Sequence, residues 1–285
     1  MFPRFKKPPS ARKILLRNRL FALISMARMK SYDARFGGIR RLYGDDGQEK
    51  LRRAHVCVIG IGGVGSWAVE ALARTGVGAL TLVDLDDICI SNVNRQLHAV
   101  TGEFGKPKVE AMAARVQLIN PDCDVRPLHS LFTAKTAEII LATKFDCVLD
   151  AIDQTDMKAL LIAQCRERGI PIVTTGGAGG RRDPAQIRVD DITRATHDGL
   201  LSTTRSLLRT EHHFPRDTKK KFGVPCVYSP EPQVFPTKDG AVCETREPGA
   251  KLRLDCRTGY GTATFVTGAF GFAAAARVVQ RIAES

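Results

Sequence analysis

The chain has 285 residues, an apolar fraction of 44% and a formal net charge of +13. This length allows one large domain or two small ones, and the apolar content is enough for a sizeable core, which excludes a disordered chain. None of the eight cysteines stands in a CxxC pair and no secretory signal is evident, so we predict a cytoplasmic protein without structural zinc or a disulfide framework.

The first 30 residues form a basic extension with nine Lys and Arg and no Asp or Glu. Without them, the other 255 residues carry a net charge of only +4. An arginine-rich, acid-free segment is typical of a mitochondrial presequence, but also of an arm that contacts RNA, a loosely attached tail or a wrongly chosen start codon. We predict an extension over residues 1–30 and a single domain over residues 31–285.

Residues 50–180 alternate between short apolar runs and segments with helical periodicity. The apolar runs predict buried parallel strands at 55–60, 79–84, 124–128, 145–150 and 170–175. The periodic segments predict helices at 66–75, 107–119, 134–143 and 157–168. This alternation predicts an α/β fold of the Rossmann-like, doubly wound type, with a mostly parallel sheet.

The character of the sequence changes after residue 180. Residues 181–221 carry ten Lys and Arg against six Asp and Glu, with weak periodicity, and predict a long crossover excursion over the open edge of the sheet. Strand-like runs return at 226–228 and 233–235, and residues 263–282 predict a final helix. Because residues 258–276 are uncharged, a membrane-associated helix is the alternative to the buried core helix that their glycines and threonines favour.

A glycine-rich turn joins the first predicted strand to the first helix. Gly60, Gly62, Gly63 and Gly65 allow backbone amides to approach a phosphate at a helix N-terminus. Asp84 ends the next strand, where a carboxylate holds ribose hydroxyls in dinucleotide-binding folds. Taken alone, these residues are compatible with an NAD-dependent dehydrogenase.

The residues that follow favour a nucleoside triphosphate instead. Basic, amide and acidic side chains occur at positions that should lie at the carboxyl edge of the sheet, where phosphates would bind. They are Asp86, Asn92, Arg95, Gln96, Lys108 and Asp153. Arginine binds phosphate bidentately, lysine adds a point charge, and an aspartate at a strand end can hold Mg²⁺. We therefore predict ATP and Mg²⁺ as cofactors, with Asp153 as the metal ligand.

This combination resembles the ubiquitin-activating enzymes and their bacterial relatives, the thiamine- and molybdopterin-synthase adenylyltransferases. The resemblance implies that the four glycines cradle the phosphates, that Asp84 holds the ribose, and that Asn92, Arg95 and Lys108 contact phosphates. It also implies a homodimer in which an arginine reaches the partner's triphosphate. Arg35 and Arg41 are the candidates, and we take Arg41 as a catalytic residue.

Motifs across the rest of the chain are similar to those of the tRNA threonylcarbamoyladenosine dehydratases. They include the runs at 35–38, 41–44, 174–180, 191–198 and 222–231. The resemblance implies ATP-dependent cyclisation of a modified adenosine in the anticodon stem-loop of tRNA, through an adenylate of its threonyl carboxylate. Two alternatives stay open: adenylation of the C-terminus of a ubiquitin-like sulfur carrier, and a tRNA-binding module with a vestigial nucleotide site.

Several residues after the sheet's fifth strand have two interpretations. Cys226 is either a catalytic thiol or a small buried strand residue, and His197 either positions substrate or caps a loop. The carbonyls of residues 176–180 form a candidate monovalent-cation site. A cysteine desulfurase or sulfur-acceptor system is a further candidate partner. The predicted tRNA contacts are Arg181, Arg182, Arg188, Arg194, Arg205, Arg209, Lys219, Lys220 and Lys221.

Overall fold

In a computed structural model of the protein, residues 31–237, 239–245 and 261–285 are described in full, and residues 11–30 as helical backbone. Within this part, seven strands form one sheet in the order β3-β2-β1-β4-β5-β7-β6. The strands are β1 (His55–Ile59), β2 (Ala79–Asp84), β3 (Asp124–His129), β4 (Cys147–Asp150), β5 (Ile172–Thr175), β6 (Arg188–Asp191) and β7 (Pro225–Tyr228). Every neighbouring pair is parallel except β6 with β7, which confirms the predicted mostly parallel sheet.

Helices cover both faces of this sheet. They are α1 (Ala11–Arg53, interrupted at Gly44), α2 (Gly65–Arg74), α3 (Lys108–Ile119), α4 (Ala137–Ile140), α5 (Thr155–Glu167), α6 (Gly199–Glu211) and α7 (Thr264–Ala283). A short antiparallel pair, β8 (Phe235–Pro236) and β9 (Val242–Cys243), lies outside the main sheet. The predicted boundary at residue 30 falls inside α1, and the side chains before residue 31 lie outside the described residues.

The central strand shows why its sequence is a continuous apolar run. Val56 and Val58 pack into the core with α2, α3 and α7, whereas Cys57 and Ile59 pack into the core with α4, α5 and α6. Because successive side chains of a strand point to opposite faces, a strand covered on both faces has no polar positions. This double burial leaves the carboxyl ends of the strands as the edge that can meet a ligand.

The final helix packs in the core, as the glycine and threonine content predicted. Val266, Phe270, Ala274 and Val278 of α7 are fully buried at a spacing of four residues. No helix in the described part of the chain has the length and apolar character needed to cross a membrane. The alternative of a membrane-associated helix is therefore not supported by the packing of α7.

The structure corrects the interpretation of residues 181–221 as an aperiodic excursion. The segment contains the antiparallel edge strand β6 and the 13-residue helix α6. Asp198 caps α6 by accepting a hydrogen bond from Leu201 N at 3.0 Å, and Leu201, Thr204 and Leu208 are buried. Its leucines occur in two pairs at helical spacing, 200–201 and 207–208, so the segment did contain a local helix signal, which the many charged residues around it obscured.

Candidate nucleotide-binding site

The turn after β1 depends on two glycines for its shape. Gly60 has a φ of 90°, and a Cβ there would lie 2.7 Å from the carbonyl oxygen of Ala151. A Cβ on Gly65 would collide with the carbonyl oxygen of Gly60. Both positions therefore exclude any larger residue. The atoms in the way are backbone at both, and at Gly60 the φ is also one that L side chains rarely adopt. These two glycines bring the start of α2 against the ends of β1 and β4.

The other two glycines of the turn differ in the space that they face. The nearest atom to a Cβ on Gly62 would be Gln96 Nε2 at 3.9 Å, whereas a Cβ on Gly63 would lie 3.3 Å from Thr267 Cγ2 and 3.4 Å from Arg95 Cγ. Gly62 therefore leaves its backbone accessible beside Gln96, as a phosphate contact requires, and Gly63 packs closely against Arg95 and α7. The structure thus brings together the predicted glycines, Arg95 and Gln96.

Asp84 holds the glycine turn in place. Its Oδ2 accepts a hydrogen bond from Ile61 N at 2.6 Å, and its Oδ1 accepts one from Asp86 N at 2.8 Å. Burial raises the pKa of the Asp84 carboxyl, while Lys108 and the two backbone amides oppose this shift. The carboxylate therefore braces the turn, and its contact with a ribose stays a prediction.

Lys108 lies beside the same carboxylate. Its Nζ is 2.6 Å from Asp86 Oδ2 and 4.0 Å from Asp84 Oδ1, and its side chain is 6% exposed. Asp86, by contrast, is 69% exposed. A buried ammonium with one exposed partner can exchange that partner for a phosphate without losing its charge compensation. The contact of Lys108 with a phosphate stays a prediction.

Arg95 is presented by a short turn that follows Cys89. The residues Ile90–Asn92 form one 3-10 turn, which the buried Asn92 closes by accepting a hydrogen bond from Cys89 N at 2.9 Å. The carbonyl of Arg95 accepts hydrogen bonds from Trp67 Nε1 at 3.1 Å and Thr267 Oγ1 at 3.3 Å. These contacts tie the Arg95 backbone to α2 and α7. In the guanidinium itself, Nη1 donates to the carbonyl of Ser91 at 2.7 Å and to Asn94 Oδ1 at 3.0 Å, contacts that a phosphate would have to replace or share.

Two buried polar side chains of this region have unsatisfied atoms among the described residues. Gln96 Oε1 and both ring nitrogens of His98 have no hydrogen-bond partner there. Burial, and then the charge of Lys108, lower the pKa of His98 to about 4. His98 is therefore neutral at physiological pH. It was missed in the sequence, where its position two residues after Gln96 was the available signal.

A fully buried ion pair supports the loop after β4. Lys158 Nζ lies 2.8 Å from Asp150 Oδ2, and Thr174 Oγ1 donates to the same oxygen at 2.6 Å. Asp150 Oδ1 accepts from Ile152 N at 3.0 Å, which shapes the loop that carries Asp153. The sequence signal for this pair was a lysine on the apolar face of the predicted helix 157–168.

Asp153 itself is exposed and has no hydrogen-bond or ion-pair partner among the described residues. The same part of the chain contains no group of three or more His, Cys, Asp or Glu side chains that would hold a metal on its own. An unpaired carboxylate at this edge fits Mg²⁺, which proteins often bind through one or two carboxylates together with substrate phosphates.

A second buried cation joins the crossover segment to the turn after β5. Arg181 is 2% exposed, and its guanidinium donates to the carbonyls of Gly177, His197 and Glu231. Its Nη2 also lies 3.3 Å from Asp198 Oδ2. Burial lowers the pKa of Arg181, and the nearby acids oppose this shift. The structure therefore corrects the prediction that Arg181 contacts tRNA.

Two further predicted RNA contacts are engaged inside the protein. Arg205 Nη1 donates to the carbonyls of Ile192 and Ala195, and Arg209 Nε donates to that of Pro215. The remaining candidates are exposed: Arg182, Arg188, Arg194, Lys219, Lys220 and Lys221. Of the nine predicted contacts, these six are the ones available to a polyanion.

The structure does not bring Cys226 to the site surface. Cys226 is fully buried in β7, opposite Thr174 of β5, and burial raises the pKa of its thiol well above the usual range. A buried, protonated thiol is a poor nucleophile. Its position matches the small strand residue that was the second interpretation.

The turn at residues 176–180 is braced by protein donors. The carbonyls of Gly177, Gly179 and Gly180 accept hydrogen bonds from Arg181 Nε, Gln233 Nε2 and Val234 N. A cation cage needs several carbonyl oxygens that converge on one point and are free to coordinate. Three of the turn's carbonyls are already hydrogen-bonded to the protein, so the structure does not support the predicted monovalent-cation site.

Comparison with known proteins decides the family. A model of the ThiF family matches residues 37–284. The tRNA threonylcarbamoyladenosine dehydratase of Haemophilus influenzae is 46% identical over 257 residues, which cover 90% of this chain and 96% of that protein. A solved structure of the Escherichia coli tRNA N6-threonylcarbamoyladenosine dehydratase in complex with ATP has a TM-score of 0.78 and 42% identity, covering 88% of this chain and 95% of that one. This chain belongs to the ThiF family, among the tRNA threonylcarbamoyladenosine dehydratases.

Membership of the dehydratases confirms the predicted family and Rossmann-like fold. The molybdopterin-synthase adenylyltransferase of Haemophilus influenzae is 37% identical over 130 residues, which cover 45% of this chain and 53% of that protein. Similarity to the dehydratases therefore extends over about twice as much of the chain as similarity to this carrier-protein activator. The crossover segment with its Arg181 contacts lies inside the matched ThiF range.

The structure separates the two arginines considered for action on a partner subunit. Arg35 Nη1 donates to the carbonyl of Ile119 at 3.2 Å within its own chain. Arg41 is exposed and has no hydrogen-bond or ion-pair partner among the described residues. Its free guanidinium makes Arg41 the better candidate, and its role stays a prediction.

Proposed function

We propose that this protein uses ATP to dehydrate threonylcarbamoyladenosine in the anticodon loop of tRNA, through an acyl-adenylate of the threonyl carboxylate. The observation that carries the proposal is the convergence of the glycine turn, Arg95 and Lys108 at the carboxyl edge of the sheet. The Haemophilus influenzae tRNA threonylcarbamoyladenosine dehydratase aligns over 90% of the chain, and the Escherichia coli dehydratase was solved in complex with ATP.

The arrangement of charges supports one direction for the bound nucleotide. The ribose would lie at the end of β2 near Asp84 and Asp86, and the phosphates would cross the glycine turn at Gly62 toward Arg95. Lys108, Asn92 and Gln96 would complete the phosphate contacts. This direction leaves the ends of β4, β5 and β7 for the acyl substrate.

Asp153 would hold Mg²⁺, which supplies charge neutralisation at the phosphates when it is bound. The exposed, unpaired carboxylate of Asp153 and the loop geometry fixed by Asp150 support this assignment. The protein's own contribution is to present that carboxylate next to the glycine turn, since Ala151 packs directly against Gly60.

The chemistry consists of two displacements. A carboxylate oxygen of the threonyl group attacks the α-phosphorus, the bond to the bridging oxygen breaks, and pyrophosphate leaves. The carbamoyl group of the same substrate then attacks the activated acyl carbon and releases AMP, so the substrate loses the elements of water. Arg95 and Lys108 would stabilise the charge that develops on pyrophosphate. Because the nucleophile of the second step is already attached, proximity is built into the substrate.

The second step needs no thiol from the protein. The burial of Cys226 supports direct cyclisation. A homodimer in which Arg41 reaches the partner's triphosphate is part of the proposal, and the free guanidinium of Arg41 supports it. A cysteine desulfurase or sulfur-acceptor partner is not required by this chemistry and stays a prediction.

Pyrophosphate exchange tests the proposal against its alternatives. The protein should exchange labelled pyrophosphate into ATP, and release AMP, only when threonylcarbamoyladenosine-containing tRNA is present. Unmodified tRNA is the matched control. Exchange that depends on the C-terminus of a ubiquitin-like protein would support the carrier-protein alternative. Binding of tRNA without exchange would support a vestigial nucleotide site, and ADP as the product would contradict all adenylating schemes.

The tRNA surface is tested through the exposed lysines at the end of the crossover. Replacing Lys219, Lys220 and Lys221 together by Ala should weaken tRNA binding and reduce the log–log salt slope by about two units, since single-stranded contacts contribute about 0.7 each. ATP binding should be unchanged. An unchanged slope in this variant, and in one lacking residues 1–30, would remove both basic segments as tRNA contacts.

A further inference from the structure

His197 has a strained backbone that its surroundings enforce. Its φ is 53°, in the left-handed region where a residue with a Cβ is disfavoured. Among the described residues, His213 is the other non-glycine residue with a positive φ, at 56°. The two histidines belong to the same crossover segment, at opposite ends of α6.

The strain at His213 has an ordinary explanation, and that at His197 does not. His213 follows the C-cap of α6, a position at which helices commonly end with a left-handed residue. His197 precedes the N-cap Asp198, where no helix end requires such a conformation. A strained residue of this kind persists only where neighbouring contacts over-determine it, and such residues cluster at functional sites.

The contacts that fix His197 come from both sides along the chain. Arg181 Nη2 donates to the His197 carbonyl at 3.1 Å. The Asp198 carboxylate accepts from Gly177 N at 2.9 Å and packs so closely on Gly176 that no Cβ would fit there. The imidazole, however, is exposed and has no partner in the described part of the chain. These buried contacts therefore fix the backbone of His197, while its imidazole ring remains exposed to solvent.

These contacts place His197 on the substrate side of the site. Gly176 and Gly177 follow β5 directly, and β5 lies beside β4, with Thr174 opposite Asp150. Adjacent strands are about 4.8 Å apart, so the turn after β5 is one strand away from the loop that carries Asp153. The ribose side at Asp84 of β2 lies in the opposite direction across the sheet.

We propose that the ring of His197 stacks on an unpaired base of the anticodon loop beside the modified adenosine, an inference that rests on the proposed function. Unpaired RNA bases are recognised by stacking on aromatic side chains, histidine among them. A ring whose backbone is already fixed loses little freedom when it stacks, which favours binding. Arg194, three residues earlier and exposed, is available to the phosphates of the same loop.

The test compares His197→Gly with His213→Gly, a matched change at the other strained histidine. Glycine accepts a left-handed φ, so neither variant should melt below the wild-type protein. His197→Gly should raise the Kd for modified tRNA, measured by filter binding, by about tenfold, the loss expected for one base stack. It should leave the KM for ATP unchanged. His213→Gly should change neither constant, and His197→Phe should restore tRNA affinity.

Three results would overturn the inference. One is a wild-type Kd for tRNA in His197→Gly, and another is a parallel rise in its KM for ATP, which would put the ring at the nucleotide. The third is a lack of rescue by His197→Phe, or by His197→Tyr if the Phe variant melts early. An assay of AMP release by the wild-type protein distinguishes failure of the proposed function from failure of the role of His197. Failure of the wild type contradicts the proposed function, whereas an active wild type that His197→Gly matches contradicts only the role of His197.

Discussion

The nucleotide half of the molecule and its crossover segment are held together by different interactions. In β1, β2, β4 and β5, apolar side chains cover both faces of the strands, so packing is spread over many residues, with the pair Asp150–Lys158 as the buried charges among them. In the crossover, single buried acids collect backbone amides from distant positions. Asp191 accepts hydrogen bonds from the amides of Phe222, Gly223 and Val224, and Glu231 accepts from those of Arg182 and Asp183. Distributed apolar packing tolerates substitution better than a buried charge with named partners.

The largest effect should come from the crossover, at Arg181. Arg181→Met would leave Asp198 buried without its cation, which costs about 3–5 kcal/mol of the free energy of unfolding. Urea denaturation should show this loss, while Arg182→Met, a neighbouring exposed change, should stay close to wild type. The double variant Arg181→Met with Asp198→Asn should recover part of the loss. An Arg181→Met protein as stable as Arg182→Met would refute the contrast between the two regions.

In the nucleotide half, the largest effect should be on activity. Arg95→Ala and Lys108→Ala should each lower the rate of adenylate formation by about 10²–10³-fold, because in the proposed function each removes a charge that stabilises the leaving pyrophosphate. Pyrophosphate exchange measures the loss, and circular dichroism checks that the fold is kept. Lys106→Ala is the matched control. Lys106 is two positions before Lys108, but its ammonium pairs with Glu103 and is not assigned to the site. Near-normal exchange in both site variants would contradict the phosphate assignment.

A smaller effect should appear as a pH dependence of stability through His98. The pKa of His98 is lowered from 6.5 to about 4, mainly by burial, so the unfolded chain binds a proton that the folded chain does not. Its contribution to stability is present above pH 6.5 and is lost as the pH falls toward 4, by up to about 3 kcal/mol. Comparing unfolding of wild type and His98→Gln across this range measures the difference. Parallel pH profiles for the two proteins would show that His98 titrates normally.

The smallest effect should follow Cys226→Ala. The change removes one buried sulfur atom and should cost about 1 kcal/mol of stability, in line with other small deletions in a core. Adenylation and cyclisation should stay close to wild type, because Cys226 is inside the sheet and not at its edge. An inactive but folded Cys226→Ala protein would bring the thiol back into the chemistry.

Predictions from the sequence were accurate in the nucleotide half and less accurate in the crossover segment. Residues 79–84 were predicted as a strand and form β2 with the same bounds, because a strand buried on both faces is visible in its own residues. The glycine turn and Arg95 lie close together because the carboxyl ends of neighbouring parallel strands meet at one edge of the sheet. Arg181 was misassigned because a buried arginine and an exposed one look alike in a sequence. Its partner Glu231 is 50 positions away, and nothing in the local pattern indicates that pairing.

The bracing of the glycine turn by Asp84 affects how a ligand is received. The amide of Ile61 is fixed by Asp84 Oδ2 in the free protein, so the turn has its shape before any nucleotide arrives. Binding to such a preorganised loop costs little ordering entropy. Differences in affinity among nucleotides should then appear mainly in their dissociation rates, and encounter alone should limit how fast each of them enters.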